Sequence, residues 1–203
     1  DGNTVASLST GSAVLVGVRP GDNVILDVSG ATGTFDNKNV GNGKTVVVTG
    51  IAISGPDASN YGLAQPTGLV ANVTFRAITV TAVTNTKVYD ATTASATIPA
   101  ITSGTIAAGD TANFIQTYDT ANVGTSKTLT PSGAVNDGNG GGNYLVTFVN
   151  NTTGVITARP ITVTADPKVK AYGSPDPALT YSLTSGSLVG GDSFSGNLTR
   201  VPG

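Results

Sequence analysis

Arg76-Ala77-Ile78-Thr79-Val80-Thr81-Ala82 alternates apolar and polar residues, the signature of a half-buried β-strand. The same phrase returns as Arg159-Pro160-Ile161-Thr162-Val163-Thr164-Ala165, an offset of 83 (159 − 76). That offset also carries Phe35-Asp36-Asn37-Lys38-Asn39-Val40-Gly41-Asn42-Gly43-Lys44-Thr45 onto Tyr118-Asp119-Thr120-Ala121-Asn122-Val123-Gly124-Thr125-Ser126-Lys127-Thr128. Asn60-Tyr61 falls on Asn143-Tyr144, and Lys87-Val88-Tyr89 on Lys170-Ala171-Tyr172. With small gaps, Gly21-Asp22 meets Gly109-Asp110, and Ser103-Gly104 meets Ser185-Gly186. Self-similarity held in register this far marks a tandem array. Its expected divisions are residues 1–76, 77–159 and 160–203. The first copy lacks a counterpart of Ile78–Ala82, which leaves an open sheet edge, and the third lacks its second half. Both broken ends are expected to reflect where the stretch was cut from the array.

Within the second copy, strands are expected at Ile78–Ala82, Thr97–Ile101, Ala112–Tyr118, Lys127–Thr130, Tyr144–Phe148 and Gly154–Thr157. Gly-Asp, Asn-Val-Gly and Asn-Gly clusters punctuate them. About seven short strands in ~83 residues predict an all-β protein of tandem immunoglobulin-like sandwiches. β-Grasp-like repeats are the alternative, but they need a helix that no stretch supplies. Asp57-Ala58-Ser59-Asn60-Tyr61 resembles a tyrosine corner, with Tyr61, Tyr144 and Phe148 assigned to the core. The second copy has Gly140 in place of Asp57, which leaves the corner at Tyr144 open to question. The joint Ala158-Arg159-Pro160-Ile161 is short, and Pro160 stiffens it, so the repeats are expected to line up as a rod.

Composition excludes more chemistry than it suggests. All 12 acidic residues are Asp, and His, Cys, Met and Trp are absent. Without His or Cys there is no Ser-His-Asp or Cys-His nucleophile, and zinc loses its main ligands. A net charge of −2 with 10 basic residues gives no electrostatic footprint for nucleic acid or an anionic membrane. No apolar run approaches the ~18 residues of a membrane span. The sequence therefore predicts no catalytic residues, no cofactor and no committed metal site.

Several motifs nevertheless invite a functional reading. Asn136-Asp137-Gly138-Asn139-Gly140 has the oxygen-rich look of a calcium loop, yet Asp137 is its single carboxylate. The Asn39–Gly41 and Asn122–Gly124 triplets read as left-handed turns with Val40 and Val123 as core plugs. Lys44 and Lys127 read as exposed strand lysines, with a Lys–Asn isopeptide as the sharper alternative. Asp22 and Asp27 form no arguable pair, and the sequons at Asn72, Asn151 and Asn197 are what an Asn- and Thr-rich chain produces by chance. For sugar binding, Tyr118, Tyr172 and Tyr181 are the candidate exposed aromatics.

Lys87-Val88-Tyr89-Asp90, Ala108-Gly109-Asp110, Asn122-Val123-Gly124 and Asn143-Tyr144 together resemble the YDG-type repeat of large bacterial surface proteins. Asp1-Gly2 enters that motif just after its Tyr, and Ala91 stands where the motif has Gly. Tyr172-Gly173-Ser174-Pro175-Asp176 and Gly190-Gly191-Asp192 resemble the related MBG-type repeat. The resemblance implies a non-enzymatic stalk segment of a secreted adhesin, of the filamentous-haemagglutinin or biofilm-matrix kind, outside the bacterial cell. Its implied partners are neighbouring repeats and, through the parent adhesin, extracellular polysaccharide or a host surface. A carbohydrate- or protein-binding sandwich module of the adhesin is the alternative function.

Overall fold

Thr and Val dominate the chain and Glu is missing, so strands have the propensity advantage over helices. The computed structural model describes residues 1–200 and is nearly all β, with one 3-10 turn at Ala58–Asn60. No helix among the described residues is long and apolar enough to cross a membrane. The chain forms two compact units: Asp1–Ile78 with Ser103–Asn113 and Ala134–Thr147, and Thr79–Thr102 with Phe114–Gly133 and the chain from Phe148 onward.

The first copy contributes β1 (Val5–Ala6), β2 (Ile25–Asp27), β3 (Thr32–Phe35), β4 (Gly41–Thr49), β5 (Ala52–Ser54) and β6 (Val70–Val73). Four of them make an antiparallel sheet in the order β1-β3-β4-β6, and β2 pairs with β5. Strand alternation sends Val46 and Val48 inward against Ala6, while Val47 between them faces solvent. Leu8, Phe35 and Ile51 lean on that small core.

The second copy supplies β7 (Arg76–Thr81), β8 (Thr86–Val88), β9 (Ala100–Ser103), β10 (Thr111–Tyr118), β11 (Gly124–Asn136), β12 (Tyr144–Val149) and β13 (Asn151–Thr157). They fall into a four-stranded sheet, β10-β11-β13-β8, and a three-stranded one, β12-β7-β9. Seven strands agree with the number that the spacing predicts. Their order is the chain's own, with β8 and β13 parallel, and not that of antibody constant domains. The alternation read in Ile78–Ala82 is realised: Ile78, Val80 and Ala82 are 2%, 0% and 2% exposed. Tyr118, Leu129 and Ile156 close on Ala82, with Tyr89 packed against them. Phe148 departs from expectation, at 40% exposed, because its strand leaves the core after Val146 and its ring packs edge-on at 6.0 Å against Phe114. The third copy contributes β14 (Thr162–Ala165), paired antiparallel with β15 (Tyr181–Ser185).

Candidate functional site

A phenol has one donor and can accept, so one buried Tyr can bridge a backbone N–H to a carboxylate. Tyr144 does this. Its Oη accepts from Ala107 N at 2.8 Å and donates to Asp110 Oδ2 at 2.7 Å. Burial and the Asp110 hydrogen bond push the Tyr144 phenol up, and the Tyr144 and Lys38 hydrogen bonds hold Asp110 below the usual carboxylate range. In the first copy Tyr61 Oη repeats the arrangement, accepting from Arg19 N at 2.9 Å and donating to Asp22 at 2.5 Å. The corner is therefore present in both copies, and Gly140 in place of Asp57 does not remove it. Its anchor is the aligned Gly-Asp turn, Gly21-Asp22 or Gly109-Asp110, rather than the residues just upstream. Asp57 has a separate task, accepting from Asn23 N at 2.8 Å.

The first joint is built beside this latch, inside the first unit. Arg76 opens β7, and its Nε donates to Thr105 O at 2.5 Å while Nη2 donates to Thr105 Oγ1. Lys38 pairs with Asp110 at 3.1 Å, the Asp110 side chain being 5% exposed. Asn143 Oδ1 accepts from Val40 N at 2.9 Å, and its Nδ2 donates to Asn39 Oδ1 at 3.2 Å. Gly2, at φ +79°, lies so close to Ala107 that an added Cβ would sit 3.1 Å from it. A cavity of about 50 Å³ remains among Lys38, Val40, Arg76, Ala107, Asp110 and Asn143. Ligand pockets run to several hundred Å³, so this is a seam with room for water.

The Asn-Val-Gly triplet is thus a docking loop in the first copy. In the second, Val123 is 53% exposed and plugs no core, while Val40 is half-buried at the joint. The left-handed residues are three positions on from each Val, at Gly43 (φ 60°) and Ser126 (φ 56°), which align at the same offset. The lysines also correct the reading. Lys44 and Lys127 are not exposed; their side chains keep 10% and 11% of their surface. Each folds back on its own turn, Lys44 on Asp36 at 3.1 Å and the Asn37 and Asn39 carbonyls, Lys127 on Asp119 at 3.1 Å and Thr120 Oγ1. These hydrogen bonds hold Asp36 and Asp119 below the usual carboxylate range. Lys44 also donates to the Asn37 side chain, but as an ion-paired ammonium it has no lone pair with which to attack that amide, and the second copy has Thr120 there.

Lys87 works in the same way on the motif that follows it. It bonds Asp90 Oδ1 at 2.7 Å and the carbonyls of Thr92 and Ala94 at 2.8 and 2.9 Å, with its ammonium 5.3 Å from the Tyr118 ring centre. The Lys87 hydrogen bond, followed by those from Thr92, brings Asp90 down to about 2. The loop holds Ala91 at φ +62°, which explains why Gly suits that position. In the second unit Arg159 grips Ser187 O and Oγ at 2.8 and 2.7 Å, as Arg76 grips Thr105.

Asp137 is 2% exposed and takes three backbone N–H groups, from Asn139 at 2.7 Å, Gly141 at 2.8 Å and Asn143 at 2.9 Å. Burial opposes its charge, but those donors outweigh it and the carboxyl sits below its usual range. Positive dipoles already occupy the directions a cation would need, and no three His, Cys, Asp or Glu side chains gather for a metal among the described residues. Asp22 and Asp27 stay apart in role, bound by Tyr61 and Ser29. Asn72 and Asn151 hold backbone amides, of Gly43 and Thr153. Of the aromatics expected outside, Tyr118 is buried, its hydroxyl donating to the backbone and side-chain oxygens of Asn85. Tyr181 stacks edge-on with Phe194 at 5.5 Å, and Tyr172 is fully exposed. The joint residues Lys38, Asp110 and Asn143 were not singled out as a set by the sequence. Lys38 is replaced by Ala121 in the second copy, so no recurrence marks it; Arg76 and Arg159 do recur, and could have been found.

The family model described as the YDG domain matches residues 1–68 and 74–154, and that described as the MBG domain (YGX type) matches residues 161–203. No curated protein and no solved structure matches the chain.

Proposed function

The chain belongs to the YDG-domain family, and on that premise we propose that it is a structural spacer: a stalk segment of an extracellular bacterial adhesin that carries a distal binding domain away from the cell. The carrying observation is the joint, where Arg76, Lys38 and the Asn39-Val40 loop of one copy hold Thr105, Asp110 and Asn143 of the next. Between β6 and β7 lie only Thr74 and Phe75, so little chain is free to swivel. Such joints convert repeat number into reach. At ~3.3 Å per residue even the 13-residue β11 spans only about 43 Å, so useful distance comes from many copies. On this reading the molecule is not an enzyme, and its polar clusters serve rigidity.

Small-angle scattering tests the spacer. A compact 203-residue domain has a radius of gyration of about 17 Å, and the spacer reading expects a clearly larger value. Arg76→Ala and Arg159→Ala should broaden the distance distribution without unfolding the strands. A wild-type radius near the compact value overturns the reading. The binding-module alternative rests on the exposed Tyr172; it would replace the spacer if a glycan array gave a reproducible hit lost in Tyr172→Ala.

A further inference from the structure

The sequence places Asn directly before Gly twice, in Gly41-Asn42-Gly43 and Gly138-Asn139-Gly140. An asparagine carboxamide is open to attack by the peptide nitrogen that follows it, and glycine has no Cβ to screen that nitrogen. Because both steps read Gly-Asn-Gly, the bare chain gives them the same reactivity. The fold does not. Gly43 N donates to Asn72 Oδ1 at 2.8 Å, so the nitrogen beside Asn42 is tied to another side chain. From Asn139 to Tyr144, Gly140 alone has a backbone N–H with no acceptor among the described residues. Asn139 is exposed, and its carboxamide donates only to Asn143 Oδ1, at 3.2 Å. The neighbouring Asp137-Gly138 step is closed, because Asp137 is buried as an anion on three N–H donors and a carboxylate anion is a poor electrophile.

We propose that Asn139 is a site of spontaneous covalent modification, at which its carboxamide becomes a carboxylate while Asn42 stays largely intact. Gly140 N gives up its proton to solvent base and attacks Asn139 Cγ. The new C–N bond closes a five-membered imide, and the carboxamide nitrogen takes up a proton and leaves as ammonia. Water then opens the imide at either carbonyl. One opening gives aspartate; the other gives isoaspartate, whose backbone runs through the side-chain methylene. The sum is one water taken up and one ammonia released, with no oxidant or cofactor.

The product falls in a loop with little slack. Asn139 N and Gly141 N both hold Asp137, at 2.7 and 2.8 Å, so an extra methylene in the backbone between them breaks that grip on a buried charge. The new carboxylate has no N–H to offer Asn143 Oδ1, and it sets a second negative charge near Asp137. Asn143 is the residue that holds Val40 N and Asn39 Oδ1 at the joint. Conversion at Asn139 therefore loosens the joint with age, by chemistry that the chain carries in itself.

The whole chain, aged in mildly alkaline buffer and sampled over time, is read by peptide mapping with fragmentation that separates aspartate from isoaspartate. Asn139 should convert, and Asn42 should lag by about five- to tenfold, because its attacking nitrogen must first give up a hydrogen bond. In urea, where no fold holds either step, the two should convert at one rate. Asn72→Ala releases Gly43 N and should bring Asn42 up toward Asn139. Hydrogen exchange at the Val40 amide should quicken as Asn139 converts, and in Asn139→Ala it should not change with age. An intact Asn139, equal rates in the folded chain, unequal rates in urea, or an Asn42 rate unmoved by Asn72→Ala overturns the assignment. A Val40 amide that stays protected in converted protein overturns its consequence at the joint.

Discussion

Residues 1–76 and 77–159 align at an offset of 83, yet the structure treats them differently. In the second copy β10 and β11 run unbroken for eight and 13 residues. The first copy divides the same span into β2 with β3 and β4 with β5, and its counterparts of β9 and β12 form no strands. The sheet β3-β4-β6 nevertheless keeps the arrangement of β10-β11-β13. Even β1 has its echo, since its pairing with β3 survives in the second copy as a single bridge between Ala94 and Thr117. The three-stranded sheet β12-β7-β9 depends on its central strand, which pairs with both of the others. Remove β7 and two neighbours lose their partner at once.

The largest test strikes the second copy at its central strand. Val80→Asp sets an unpaired carboxylate in the place of a fully buried side chain and should cost about 3–5 kcal/mol, read from urea midpoints. The exchange signals of β9 and β12 should collapse together, because both pair with β7. Val16→Asp, at an exposed position of the first copy, should stay within about 0.5 kcal/mol. Equal costs at the two sites would mean that the buried face of β7 does not hold its sheet together.

The tyrosine latches come next. Tyr144→Phe strands the buried N–H of Ala107 and leaves Asp110 with Lys38 alone, for an expected loss of about 1–3 kcal/mol. Tyr61→Phe removes the same pair of bonds, but Arg19 N and Asp22 can turn to water, so its cost should be under about 1 kcal/mol. Thermal or urea unfolding of the two variants side by side decides this. A larger loss at Tyr61 would reverse the ranking of the two copies.

Much of this comparison was legible in the chain itself. The offset of 83 aligned Tyr61 with Tyr144 and Lys44 with Lys127, and alternation identified Ile78, Val80 and Ala82 as core residues. What could not be read was where long polar side chains end. Periodicity assigns a face to Lys44 or Lys127, but the aliphatic stem can fold back over its own turn and bury itself while the ammonium finds Asp36 or Asp119. The docking role of Asn39-Val40 was hidden for another reason. Its partner Asn143 lies more than a hundred residues away in another copy, and no local pattern encodes that distance. Strand order was equally silent, since spacing counts strands without saying which lie side by side.

Acid should act on both copies, since Lys44 holds Asp36 down in the first as Lys127 holds Asp119 down in the second. Asp90, Asp110, Asp119 and Asp137 all have folded-state values below the ordinary 3.8, Asp90 at about 2. A depressed carboxyl binds fewer protons folded than unfolded, so its contribution is complete above the unfolded value and disappears as pH falls through the folded one. Stability should therefore be flat above pH ~5 and decline between about 4 and 2. Lys87→Met should weaken the decline by returning Asp90 toward its ordinary value. Urea midpoints measured from pH 2 to 7 give both curves, and an identical acid limb in the variant would show that Lys87 does not hold Asp90.

The smallest effect is the most local, and it runs in opposite directions in the two copies. Gly43 and Ser126 occupy one aligned position with nearly the same backbone, φ 60° and 56°. Glycine reaches that region without steric cost, whereas a residue with a Cβ is strained there by about 1 kcal/mol. A Cβ built on Gly43 meets nothing within 4 Å, so packing neither rewards nor punishes the exchange. Ser126→Gly should accordingly stabilise the second copy by at most about 0.5 kcal/mol, after subtracting the entropy glycine returns to the unfolded chain. Gly43→Ser should destabilise the first copy by a similar amount. The double swap should then nearly cancel, because the two turns lie in different copies and share no partner. Calorimetry of the three variants reads the signs directly. If Ser126→Gly destabilised the chain, the Ser126 side chain would have to be making a contribution that backbone strain alone does not contain.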